Sequence, residues 1–275
     1  MSKFTKAIIG LTILIVTFYG GILLYFYLNQ DELIYYPTQD IDRTPQSIGL
    51  EYSNIEIDTP DGVRLHGWFT PCDSARGIII LFHGNAGNIS NRVSSVEIYH
   101  QMQFASIVFD YRGYGKSSSK PSEEGLYSDA EAVYRYVLDS LNFDKSKIIF
   151  HGRSLGGAVA IHSAVKFQPK LLIVESTFTS IRDLGKDLYP YLPIGLLSRS
   201  KFHSFDKISN IHCPILLIHS RDDELINYSH AEKLFARADH PKEILTIDGT
   251  HNDGARDNPE IYQKGLSDFI DKYFE

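Results

Sequence analysis

The sequence predicts an α/β protein built on a mainly parallel sheet. Three observations predict it: short runs of β-type composition recur along the chain, helical stretches alternate with them, and most of the runs are apolar without alternation. Continuous apolarity marks strands covered on both faces, as in a doubly wound sheet. With 275 residues and 43% hydrophobic content, the chain is long enough for one large domain with a substantial core and a short appendage.

The first element is different in kind. After a short tail at 1–6, residues 7–28 (AIIGLTILIVTFYGGILLYFYL) carry no charge. As a helix they would span ~33 Å, about the thickness of a bilayer's hydrocarbon core. The segment reads as a transmembrane helix and makes the membrane a partner. Lys3 and Lys6 precede it while Asp31 and Glu32 follow, so the positive-inside tendency puts the N-terminus in the cytoplasm and the globular part on the other side. A cleaved signal peptide fits less well, because the segment is long and ends in Tyr25, Phe26 and Tyr27 instead of small residues. Residues 29–50 are polar, proline-containing and aperiodic, and read as a juxtamembrane linker. Within them Tyr35 and Tyr36 suit either the membrane interface or the core.

Residues 51–275 read as the globular domain. The runs at 52–59 and 63–70 are joined across Pro60-Asp61-Gly62, which predicts an antiparallel hairpin. Apolar runs follow at 77–82, 106–111, 147–152, 171–176, 214–220 and 243–248, so the sheet is expected to have eight strands. Helices are expected near 89–102, 124–141, 155–167, 229–238 and 258–274. The stretch 180–208 breaks this rhythm with Pro190, Pro193 and several apolar residues. It reads as an inserted cap or lid.

Composition narrows the partners. The 34 acidic residues outnumber the 27 basic ones, for a net charge of -7, which argues against a polyanion such as nucleic acid. Cys72 and Cys213 lie far apart and show neither CxxC nor Cys/His ligand spacing. Neither a disulfide framework nor a zinc site is expected, and no cofactor or metal is called for.

In open α/β sheets the working residues gather at the carboxyl ends of strands. The run 147–152 leads into His151-Gly152-Arg153-Ser154-Leu155-Gly156-Gly157 and then a small-residue helix, a GxSxG in strand-turn-helix context. So sharp a turn forces the serine into a strained backbone, and the flanking glycines remove side chains that would collide. Reading Ser154 as an ordinary helix cap would leave those glycines unexplained. A nucleophilic serine needs a base, and the base needs an orienting group. Arg221-Asp222-Asp223-Glu224 follows the run 214–220, and Gly249-Thr250-His251 follows 243–248, in the chain order serine, acid, histidine. The residues alone leave Asp222, Asp223 and Glu224 open as the acid, with Glu175 at the end of 171–176 a further candidate. His83 and His151 read as framework residues and His162 as packing.

From about residue 50 onward the chain resembles the α/β-hydrolase superfamily, through LFHGNAGN, FDYRGYGKS, GRSLGG, IHSRDDELI and GTHND in their customary order. The string YRGYGKSSSKPSEEGLYSDAEAVYRY resembles the membrane-anchored group that includes protein depalmitoylases and acylglycerol or lysophospholipid lipases. It departs from some of these in having a helix and no cysteine cluster at its N-terminus. The resemblance implies an α/β-hydrolase fold with a Ser154, His251 and Asp223 triad, Asp223 standing three residues before Ile226. It also implies an oxyanion hole from the backbone N–H groups of Asn85 and Leu155, worth ~3 to 4 kcal/mol per donor in acyl transfer. The expected activity is hydrolysis of a carboxylic ester or thioester of a lipid-like acyl group, with Arg153 among the side chains placed to influence the acyl group. A serine peptidase of the same fold and a catalytically silent binding module are the alternatives.

Overall fold

The computed structural model describes residues 1–274. Its first element, α1 (Lys3–Leu28), begins at Ser2, whose hydroxyl accepts the Thr5 N–H, and none of its residues is buried. It is long and apolar enough to cross a membrane by length and composition. The segment behind it is more ordered than its composition suggests. It forms α2 (Gln30–Ile34) and the short strand β1 (Tyr36–Pro37), and Tyr35 between them is buried in the main core.

The strands β2 (Ser53–Asp58) and β3 (Arg64–Thr70) form the expected hairpin, paired antiparallel from Ser53–Phe69 to Asp58–Arg64. They are followed by β4 (Ile78–Phe82), the two-residue β5 (Ala86–Gly87), α3 (Val93–Gln101), β6 (Ala105–Phe109) and α4 (Glu123–Asp139). Next come β7 (Ile148–Arg153), α5 (Leu155–Phe167) and β8 (Leu171–Glu175). The expected cap region holds three short helices, α6 (Ile181–Leu188), α7 (Ile194–Leu197) and α8 (Ser204–Ile208). The chain closes with β9 (Ile215–Ser220), α9 (Ser229–Arg237), β10 (Lys242–Ile247), α10 (Gly254–Asp257) and α11 (Pro259–Tyr273).

Eight strands make one sheet in the order β10-β9-β8-β7-β4-β6-β3-β2, and β1 pairs separately with β5. From β6 to β10 every pairing is parallel; β3 joins β6 antiparallel. Because successive side chains point to opposite faces, the all-apolar β4 feeds two cores. Ile78, Ile80 and Phe82 face the layer containing α4 and α5, while Ile79 and Leu81 face the layer containing α3 and α11. The edge strand β2 instead alternates, burying Ile55 and Ile57 and exposing Asn54, Glu56 and Asp58.

Two small residues let α5 sit close against the sheet. A Cβ at Gly156 would lie 1.9 Å from the Phe82 carbonyl oxygen, and one at Gly157 would lie 2.6 Å from Thr177 Cβ. Only glycine permits that approach, which places the first residue before α5 at the carboxyl edge of the sheet beside β4.

Candidate active site

Ser154 stands between β7 and α5 with φ 54° and ψ −121°, a conformation costly for a residue with a side chain. Its surroundings hold it there. The Ser154 N–H donates to the Glu175 carbonyl at 2.8 Å, and its own carbonyl accepts the Gly157 N–H at 2.9 Å and the Thr177 hydroxyl at 2.7 Å. Ser154 therefore does not cap α5 with its side chain; the hydroxyl points elsewhere.

It points at His251. Nε2 of His251 lies 3.2 Å from Ser154 Oγ, and Nδ1 lies 2.7 Å from Asp223 Oδ2. The sheet order explains the convergence, because β7, β8, β9 and β10 are consecutive neighbours and each residue follows the carboxyl end of its strand. Asp223 is held by the N–H groups of Leu225 and Ile226, at 3.0 and 2.7 Å to Oδ1. Burial alone would raise its pKa, but the His251 contact, the Ile226 N–H and the nearby His219 ring hold it below the ordinary carboxylate value. His219 is fixed by the Ile226 carbonyl, 2.8 Å from Nε2, and burial lowers its pKa. Of the other acids left open by the sequence, Asp222 is exposed, and Glu224 has a different job: its carboxylate accepts the His251 N–H at 3.0 Å.

Glu175 does not reach the imidazole of His251. Its carboxylate accepts from Arg153 Nε at 2.9 Å and from the Tyr262 hydroxyl at 2.8 Å. His151 Nε2 lies 3.4 Å away, outside hydrogen-bond geometry. Burial would raise the Glu175 pKa, yet the His151 ring, the Arg153 guanidinium and the Tyr262 hydroxyl outweigh it and bring the group to about 2. Arg153, expected among the side chains placed to influence the acyl group, has other partners. Its guanidinium turns to Glu175 and to the His251 carbonyl, because the buried carboxylate beside it offers a charged partner that an apolar cavity does not.

Opposite the serine runs the loop after β4. A Cβ at Gly84 would sit 3.5 Å from Ser154 Cβ, so Asn85 follows close against the turn. Among the described residues, neither the Asn85 N–H nor the Leu155 N–H has a hydrogen-bond acceptor, and both residues border the same cavity as Ser154. The loop is fixed from outside. Tyr36 N–H and the Tyr114 hydroxyl both donate to the Asn85 carbonyl, at 2.9 and 2.8 Å, and the Asn85 side-chain amide donates to the Ile34 carbonyl at 3.1 Å. Asp110 Oδ1 accepts the Ile89 N–H at 2.9 Å, and Arg112 is clamped between Asp129 and Asp61 at 2.9 and 2.8 Å. The FDYRGYGKS motif is thus the scaffold of this loop. His83 is fully buried, donates from Nδ1 to the Gly84 carbonyl, and is pushed down to about 4 by burial. His162 stacks on Tyr127 at 3.5 Å, well away from this cluster in the fold's helical layer.

The cavity above Ser154 has a volume of about 260 Å³ and an apolar lining that includes Phe178, Leu184, Leu188 and Ile226. Sequence reasoning missed part of this wall. Phe26, Leu33, Ile34 and Tyr36 belong to α1 and the segment read as a linker, yet they line the cavity too. The available signal was the apolar character of Leu33-Ile34-Tyr35-Tyr36, which a purely solvated linker would not need.

A serine on a strained strand-to-helix turn, faced by a histidine and an acid from later strand ends, defines the class: an α/β hydrolase. The chain belongs to this family. Residues 77–174 match the family model for the alpha/beta hydrolase fold. The chain is 33% identical to the alpha/beta hydrolase domain-containing protein WAV2 of Arabidopsis thaliana, covering 89% of this chain and 88% of WAV2. An uncharacterised membrane protein of Saccharomyces cerevisiae is 32% identical, with 82% and 81% covered. Among solved structures, a Pyrococcus furiosus esterase superposes with a TM-score of 0.75 at 22% identity, covering 87% of this chain and all 100% of the esterase, which shows the shared fold.

Proposed function

We propose that the protein is a membrane-anchored serine hydrolase that cleaves a carboxylic ester or thioester of a lipid-like acyl group. The observation carrying this reading is the alignment of Asp223, His251 and Ser154 at 2.7 and 3.2 Å, with the serine opening on an apolar cavity. In the proposed reaction His251 Nε2 takes the Ser154 proton as Oγ attacks the acyl carbon. Asp223 holds the Nδ1 proton and stabilises the imidazolium, and the Asn85 and Leu155 N–H groups receive the oxyanion. The imidazolium then protonates the leaving alcohol or thiol. Water, deprotonated by the same imidazole, attacks the acyl-serine carbonyl; the acyl–Oγ bond breaks as the imidazolium returns its proton to Ser154 Oγ, and the carboxylic acid leaves.

The esterase relative in fold supports the ester class, and the yeast relative described as a membrane protein supports the anchor. We read the domain as lying on the extracytoplasmic side, from Lys3 and Lys6 before α1. The test is labelling by a fluorophosphonate probe together with hydrolysis of short p-nitrophenyl esters. Ser154→Ala is expected to abolish both, and persistence of both would overturn the assignment.

A further inference from the structure

The cavity above Ser154 is completed by the anchor. Phe26 in the last turn of α1, with Leu33 and Ile34 of α2, forms one wall, and Leu184, Leu188 and Ile194 of the cap form another. The two walls are docked on each other. Phe26 meets Tyr189 edge to face at 5.4 Å, Gln30 Oε1 accepts the Arg199 N–H at 2.6 Å, and the Arg199 guanidinium pairs with Asp31 at 3.1 Å.

A further contact sets the depth. The Tyr19 hydroxyl donates to the Tyr191 carbonyl at 2.9 Å, and Tyr19 precedes the end of α1 at Leu28 by ~13 Å of helix. The cap tip therefore descends alongside α1, past the helix end and toward its middle. Residues 188–198 (LYPYLPIGLLS) contain no charged side chain, yet Tyr191 is 88% exposed and Leu196 87%. Water is a poor neighbour for such a surface. The backbone also suits an apolar solvent, in which polar groups must be satisfied internally. The N–H groups of Leu192, Ile194, Leu196, Leu197 and Ser198 donate to carbonyls within the tip and two further positions are proline, which leaves the Tyr191 and Gly195 N–H groups as the tip's donors without an acceptor among the described residues.

We propose that the cap tip is inserted in the bilayer beside α1, and that the pocket is loaded sideways from the hydrocarbon, between α1 and the cap, with a single-chain acyl ester dissolved in the membrane. This rests on α1 spanning the membrane and on Ser154 as nucleophile. Phe26 is then a specificity-determining residue, since an acyl chain on its way to Ser154 passes its ring.

The full chain reconstituted in phosphatidylcholine vesicles brominated at mid-chain tests the insertion. Trp68 is the lone tryptophan and is buried in the sheet, so it gives a constant background. Tyr191→Trp is expected to be quenched as strongly as Leu14→Trp on α1, and several-fold more than Tyr136→Trp on α4. Quenching of Leu14→Trp with Tyr191→Trp at the Tyr136→Trp level overturns the insertion while leaving α1 in the membrane. Absence of quenching for Leu14→Trp overturns the span and the insertion together. For the pocket wall, Phe26→Ala is expected to lower the ratio of long-chain to butyrate p-nitrophenyl ester hydrolysis about tenfold. Fluorophosphonate labelling of the same sample reports separately on Ser154. A labelled variant with an unchanged ratio overturns the role of Phe26, and a wild-type chain that does not label overturns the nucleophile reading instead.

Discussion

Asp223 has the most constrained carboxylate in the site, with Oδ2 on His251 and Oδ1 taken by two backbone N–H groups. Asp223→Asn keeps that shape but presents an amide to Nδ1, favouring the imidazole tautomer whose Nε2 carries the proton and cannot accept another. Loss of kcat by about three to four orders of magnitude is expected, with fluorophosphonate labelling slowed in parallel; unchanged turnover would move the orienting role to another acid. Glu175 governs stability in a way that pH reveals. Its pKa falls from about 4.5 to about 2 on folding, so its contribution is fully present above pH 4.5 and is lost as pH falls through the folded value. A depression of that size corresponds to about 3 kcal/mol. Urea unfolding of Glu175→Gln between pH 7 and pH 2 should show lower stability at neutral pH and a flatter acid limb than the parent chain. An acid limb of unaltered slope would assign the acid sensitivity to other carboxylates.

At the level of elements, the tightest junction is that of β4, β7 and α5. Gly156→Ala would drive a Cβ into the Phe82 carbonyl, separating α5 from β4 and moving Ser154 relative to Asn85. Overpacking of this kind costs about 1–3 kcal/mol and more where backbone blocks relaxation, so both the unfolding midpoint and esterase turnover should fall. Ser122→Ala provides the contrast. It removes only the hydroxyl that accepts the Gly125 N–H at the start of α4, so about 1 kcal/mol of stability should go with turnover retained. This difference between elements also explains what could be read in advance. The buried strands and α5 were legible because burial on both faces leaves an unbroken apolar run, and the β2–β3 hairpin because Pro60-Asp61-Gly62 permits little else. The strand Tyr36–Pro37 was not, since two residues paired with Ala86–Gly87 have no periodicity to display.

Across the whole molecule, the sequence separated an anchor from a hydrolase domain, and the structure joins them through the cavity and through the loop after β4 that carries Asn85. Ser154, His251 and the acidic loop could be placed because each follows a strand end. The cavity wall could not, because Phe26 and Leu184 are distant in sequence and nothing local pairs them. That union yields a prediction about α1 itself. Residues 3–18 are all exposed, whereas Tyr19, Phe26 and Gln30 reach the cap. If the first part of the helix serves only to span lipid, replacing residues 7–18 with an unrelated apolar helical sequence of equal length preserves hydrophobic thickness and leaves everything the pocket uses in place. Such a chimera should match the parent chain in both turnover and acyl-length preference when assayed in vesicles. Replacing residues 19–28 in the same way removes the Tyr19 and Phe26 contacts while keeping the membrane anchor, so acyl-length preference should shift even though vesicle binding does not. Equal chain-length profiles for the two chimeras would reduce α1 to a tether.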